Sequence, residues 1–384
     1  MLVLIVADQV VHYSVLSDGW LFGRRIAPYD PPLFCEAQLQ AEAEFQRHAQ
    51  TGRPRKSHFR FDRLLGWAPI PGEASGDAHY DWSGSRRGPQ ELARKRSANV
   101  RRLVTIGCSF TMGEEVADDE TWPFVLDAAA YDWEVANLAM GAYGVDQALL
   151  RLRRDGLPLE PDEIWLGWLP GASLRVGTLY RPAERHWSSL ALFKPRFRLD
   201  DAGELVHIPN PVQSIAHTAR LLTKQSEFYD AVAENDLWVA RAERAYRPMG
   251  SSLLHRTALS RMLISVRERA ERDPATWLLD ETSEIHRLVA AIVLETEREA
   301  RRANSRFRLI VLPSREDLAD RAERGSAYWA PLVLELESQG IAVFDASAAL
   351  SAAGALESDE FWAPGGHYSP RANGVIAETL RELL

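Results

Sequence analysis

The sequence predicts a doubly wound α/β protein, and three observations predict it. Five short apolar runs are each bounded by Gly, Pro, Asp or Asn, the pattern of parallel strands covered on both faces. Amphipathic helical patterns lie between those runs. Polar, glycine-rich stretches follow the strands, at the edge where an open α/β sheet binds its ligands.

The expected strands are Leu103–Gly107, Trp133–Leu138, Glu163–Trp168, Arg308–Pro313 and Ile341–Asp345. Helices are expected over Thr121–Ala130, Asp146–Arg154, Glu284–Ala303 and Ala327–Ser338. In the third of these, Ile285, Leu288, Val289 and Ile292 fall on one face. The last helix begins at Pro370 behind Ser369 as its N-cap, with Val375, Ile376, Thr379, Leu380 and Leu383 along one side. Two regions break the alternation. Residues 1–100 are mixed and turn-rich, and read as an N-terminal extension packed on the core. Residues 177–303 separate the core halves 101–176 and 304–384, and read as a largely helical insertion that would serve as a lid or select substrate. Within it, Asp200–Gly203 predicts a hairpin turn and Leu253–Arg272 a helix.

The 384 residues are 46% hydrophobic and 26% charged, the composition of an ordinary globular chain. The net charge of −9 gives no support to a surface that tracks phosphates, so nucleic acid is not an expected partner. Neither G-x-G-x-x-G nor G-x-x-x-x-G-K-[ST] occurs, which argues against a nucleotide module. The runs Arg86-Arg87 and Arg94-Lys95-Arg96 read as solvated faces. Two cysteines, Cys35 and Cys108, allow one bridge at most and no metal spacing. The carboxylates from Glu114 to Glu120 lack the spacing of an oxygen-ligand loop and read as a solvated turn, so no metal or cofactor is expected. The apolar start Met1–Val6 is broken by Asp8, too soon for a signal segment or membrane span. A cytoplasmic protein is the expectation, with a truncated N-terminus left open.

Two residues carry the chemical question. Ser109 follows the first strand in "GCSFTMG", as a nucleophile or as the cap of the next helix. His367 stands in "APGGHYSPRAN" before the last helix. Ester chemistry through a covalent intermediate needs a hydroxyl, a base within reach and donors aimed at the developing oxyanion. The topology brings both residues to one rim, with the glycine turn Gly141–Gly144 between them.

In this order the chain resembles the SGNH/GDSL hydrolase superfamily. The matching blocks are "GCSFTMGEEVADDETWP" (Gly107–Pro123), "NLAMGAYGVDQ" (Asn137–Gln147), "PDEIWLGW" (Pro161–Trp168) and "GGHYSPRANGVIAETL" (Gly365–Leu380). The resemblance implies a flavodoxin-like three-layer α/β/α sandwich with a mostly parallel five-stranded sheet. It implies Ser109 as nucleophile, His367 as general base, and the N–H groups of Ser109 and Ala142 as oxyanion donors. Asn137, Gly141 and Gly144 would support the turn. The chain departs from the pattern at Cys108, where an acid is usual, and at Ala142, where a glycine is usual. It departs again at Gly171-Ala172-Ser173, which offers no amide side chain, although Arg175 is kept. The acid that orients the histidine is expected two or three residues before it, where Pro364 and Gly365 stand. Asp359 and Glu360 are the nearest carboxylates upstream, and Asp359 is carried as the candidate. The implied activity is a serine esterase or deacetylase on a small acyl ester, an O-acylated carbohydrate or natural product, with transfer to another alcohol left open. A second reading is a non-catalytic relative that binds an acylated or glycan ligand. Trp362, near His367, is the tryptophan placed to stack on a sugar.

Overall fold

The computed structural model describes residues 2–14, 20–21, 24–25, 60–75, 78–86, 92–129, 132–184, 193–246, 257–260, 262–263, 267 and 271–384. Cys35, Arg87 and most of Leu253–Arg272 lie outside the described residues.

Five parallel strands form the central sheet: β1 (Arg101–Gly107), β2 (Trp133–Asn137), β3 (Glu163–Trp168), β4 (Arg306–Val311) and β5 (Val343–Asp345). Their order across the sheet is β5-β4-β3-β1-β2. Read from the other edge this is 2-1-3-4-5, the flavodoxin-like order, with its reversal beside β1. The register pairs Gly107 with Gly167, and Thr105 with Asn137, so the end of β1 lies beside the ends of both neighbours. The ladder stops before Pro313, which has no N–H to donate.

Helices α1 (Ser109–Met112) and α2 (Trp122–Ala129) follow β1, and α3 (Val145–Arg151) follows β2. The helix expected to Arg154 instead loosens into a π turn at Leu152–Gly156. Helix α4 (Glu284–Arg302) precedes β4, and α5 (Arg315–Arg324), α6 (Ala330–Ser338) and α7 (Pro370–Leu380) complete the layers. The sequence reading passed over α5. Its signal is Ser314, which caps the Asp317 N–H while Asp317 accepts from the Ser314 N–H. On one face of the sheet, Val104, Leu166 and Val311 pack with residues of α3, α4 and α6. On the other, Leu103, Trp165 and Ile310 pack with α2 and α7.

The first hydrophobic cluster also takes in Leu65, Trp67 and Leu92 from before the core, and Phe193, Phe197 and Trp238 from the insertion. Those segments therefore share the core's buried surface. The predicted turn at Asp200–Gly203 joins two antiparallel strands, Arg196–Leu199 and Leu205–Ile208. Fully buried Lys194 pairs with Asp146 of α3 and ties the insertion to the sheet layer. Burial lowers the Lys194 pKa, with Asp146 opposing that effect. Among the described residues no helix is long and apolar enough to cross a membrane.

Candidate active site

Ser109 is the first residue of α1 rather than its cap. The N-cap position belongs to Cys108, whose side chain makes no capping bond while its carbonyl accepts from Met112. Ser109 is 5% exposed and lines a cavity of about 610 Å³ together with His367, Gly171, Arg175 and Arg272. Phe110 packs against the His367 ring at 5.2 Å and against Tyr368 at 4.8 Å, so the residue beside the serine holds the histidine's loop. No direct hydrogen bond joins Ser109 to His367 among the described residues.

Glu115 holds the histidine. Its Oε2 lies 2.6 Å from His367 Nδ1, and it also accepts from the His367 N–H at 3.3 Å. Its Oε1 accepts from the Gly365 N–H at 2.6 Å. Because an ionised carboxylate only accepts, Nδ1 must carry the proton, which leaves a lone pair at Nε2 for a base. Burial pushes the Glu115 carboxyl upward, but its hydrogen bonds from His367 and Gly365 outweigh that and leave it below the ordinary carboxylate value. Glu115 takes a left-handed φ of 71°. A non-glycine residue there costs about 1–2 kcal/mol, and the three hydrogen bonds hold it in place. A Cβ at Gly365 would stand 2.6 Å from the Glu115 carboxylate, so a side chain there would push the acid out of its place under the loop.

Asp359 is therefore not the orienting acid. It is 88% exposed and pairs with Arg315 at 2.6 Å, while Glu360 pairs with Arg371. The carboxylate turn read as solvated supplies the histidine's carboxylate instead, from the loop that follows Ser109. Arg86, also read as solvated, is 1% exposed. It donates to the carbonyls of Met112, Gly113 and Val116 and pairs with Asp118, clamping both ends of the loop that carries Glu115.

The turn after β2 carries Ala142, expected from the sequence as an oxyanion donor. Ala142 has φ of 64°, the conformation that usually selects glycine. Neither its N–H nor that of Ser109 has a partner among the described residues. Arg175 donates to the Tyr143 carbonyl at 2.9 Å, and Trp67 donates to the Gly141 carbonyl at 2.9 Å. Gly144 starts α3, its N–H received by Gln147 at 3.3 Å. Asn137 donates to the Thr111 carbonyl at 2.9 Å, joining β2 to α1. Ser173 accepts from Trp168 at 3.0 Å, which commits it to packing. Trp362 donates to the Ala355 carbonyl and packs on Tyr368, a structural placement outside the cavity wall. Trp67, Trp165 and Trp168 are fully buried. Among the described residues no group of three His, Cys, Asp or Glu residues is placed to hold a metal.

Sheet order and site define a flavodoxin-like α/β/α protein with a serine at the end of its first strand and a carboxylate-held histidine before its last helix. No family model and no curated protein matches the chain. It is similar to solved structures of lipolytic G-D-S-L proteins from Desulfitobacterium hafniense and Veillonella parvula, at 13% and 12% identity. Each comparison covers 74% of this chain, with 99% and 98% of the other, and TM-scores of 0.36 and 0.37. A psychrotrophic esterase from Pseudoalteromonas is similar at 10% identity, over 73% of this chain and 95% of its own, with a TM-score of 0.35. At these values the fold class rests on the sheet order of the chain itself.

Proposed function

We propose that the protein is a serine hydrolase of small acyl esters, and the observation that carries this reading is that Ser109 and the Glu115-held His367 line one cavity. In the first half-reaction His367 Nε2 takes the Ser109 hydroxyl proton as Oγ attacks the ester carbonyl. The carbonyl oxygen becomes an oxyanion that the N–H groups of Ser109 and Ala142 can stabilise. Collapse breaks the C–O bond of the ester, and the imidazolium proton leaves with the alcohol. Water then attacks the Ser109 acyl group, again giving its proton to Nε2, and releases the acid. Throughout, Glu115 fixes the ring's tautomer and stabilises the imidazolium. The missing Ser109–His367 hydrogen bond favours a second reading, an acyl-ligand-binding protein, although such bonds tighten when substrate binds.

Hydrolysis of p-nitrophenyl acetate separates the two. The hydrolase reading expects turnover that Ser109→Ala and His367→Ala each reduce by at least about 10³-fold. Turnover equal in wild type and Ser109→Ala would overturn it.

A further inference from the structure

Glu114 stands at the reactive face of the ring, beyond hydrogen-bond distance of it. Its Oε2 is 3.6 Å from His367 Nε2. The same oxygen is 3.2 Å from where a Cβ on Gly141 would stand, so a side chain there would crowd the carboxylate. One carboxylate oxygen thus lies between the base and the turn that presents the Ala142 N–H. With Nδ1–H committed to Glu115, Nε2 of the neutral ring is an acceptor, and Glu114 is an acceptor too. Across that 3.6 Å gap Nε2 is served by the Ser109 hydroxyl during the reaction, which leaves Glu114 to be satisfied by a donor on the ligand. The imidazolium then passes its Nε2 proton to the ester's alcohol oxygen as it leaves, which brings that alcohol beside Glu114. A second donor on that alcohol then meets Glu114. On the cavity wall, Glu316 is an exposed acceptor and Asp320 accepts from Arg324, whereas Arg175 and Arg272 donate to the main-chain carbonyls of Tyr143 and Ala183.

We propose that Glu114 reads the alcohol half of the ester by accepting a hydrogen bond from a hydroxyl or protonated amine close to the ester oxygen. The protein then favours esters of polyols or amino alcohols over those of plain alcohols. This rests on the hydrolase reading, so the experiment separates the two claims.

The full chain is assayed with ethyl acetate, 2-hydroxyethyl acetate and 2-dimethylaminoethyl acetate, the last protonated at neutral pH. The three share an acyl group and differ in the donor they offer. Wild type is expected to favour at least one donor-bearing ester over ethyl acetate by about tenfold or more in kcat/KM. The arm that responds tells whether the donor is a hydroxyl or an ammonium group. Glu114→Ala is expected to lower that ratio at least about fivefold. Glu114→Gln, which keeps the side chain's size, is expected to lower it for a cationic ester. The ratio within one preparation is insensitive to loss of folded protein. A ratio unchanged in Glu114→Ala, or wild-type turnover with no preference, would overturn the inference and leave the hydrolase reading standing. No turnover of any of the three by wild type would overturn both.

Discussion

The position of Glu115 decides the chemistry of the site. Its carboxylate fixes Nδ1 as the protonated nitrogen, so removing it frees the ring to take the wrong tautomer. Glu115→Ala is expected to lower kcat by about 10²–10⁴-fold with a smaller change in KM, measured with p-nitrophenyl acetate. A loss of less than about threefold would mean that the ring is held by something else. Gly365→Ala reaches the same bond from the other side. Its Cβ would stand 2.6 Å from the carboxylate, so activity should fall by about 10²-fold while the melting temperature changes little. The Glu115 pKa is lowered in the folded state, so its hydrogen bonds add stability above the unfolded carboxylate's 4.5. That contribution disappears as pH falls through the depressed value. Ala142→Gly releases the strain of a positive φ and keeps the N–H, so it should preserve activity and raise stability by about 0.5–1 kcal/mol.

Elements fix where these residues meet. The block-one turn is held by three neighbours: β2 through Asn137, the last loop through Gly365, and the segment before the core through Arg86. Arg86 is the most exacting of the three. Replacing it with Met leaves Asp118 with His79 alone and strands the carbonyls of Gly113 and Val116. Arg86→Met should cost about 3–5 kcal/mol in urea unfolding, and a loss below 1 kcal/mol would show the clamp to be incidental. At the end of α2, burial lifts the Asp127 carboxyl to about 6, against the hydrogen bond it accepts from the Val135 N–H. A raised carboxyl pKa means the folded state binds the proton more tightly, so stability falls as pH rises from 3.8 through 6. Asp127→Asn should therefore stabilise the protein by about 1–2 kcal/mol at pH 8 and leave it unchanged at pH 3.

At the scale of the whole molecule, strands and last helix were legible because each is a continuous apolar pattern or a local capping signal. The π turn after α3 and the start of α6 were misjudged because helix ends depend on packing rather than on propensity. Ser109, His367 and the turn at Ala142 were legible because strand ends and loop glycines mark them locally. Glu115 was not, since its partner is 252 residues away and it stands in a carboxylate-rich run. A carboxylate at a left-handed φ, ahead of a Pro-Gly-Gly-His turn, looks like a solvated loop until the fold closes. Arg86 was hidden for the same reason, because an arginine pair on a loop reads as exposed until its carbonyl partners are in place. This closure is expected to build a reactive serine, which labelling with a fluorophosphonate followed by peptide mapping reveals. Covalent phosphonylation at Ser109 is expected in wild type, lost in Ser109→Ala and slowed at least about 10²-fold in Glu115→Ala. Absence of labelling at Ser109 in the wild-type chain, or equal labelling in Glu115→Ala, would contradict it.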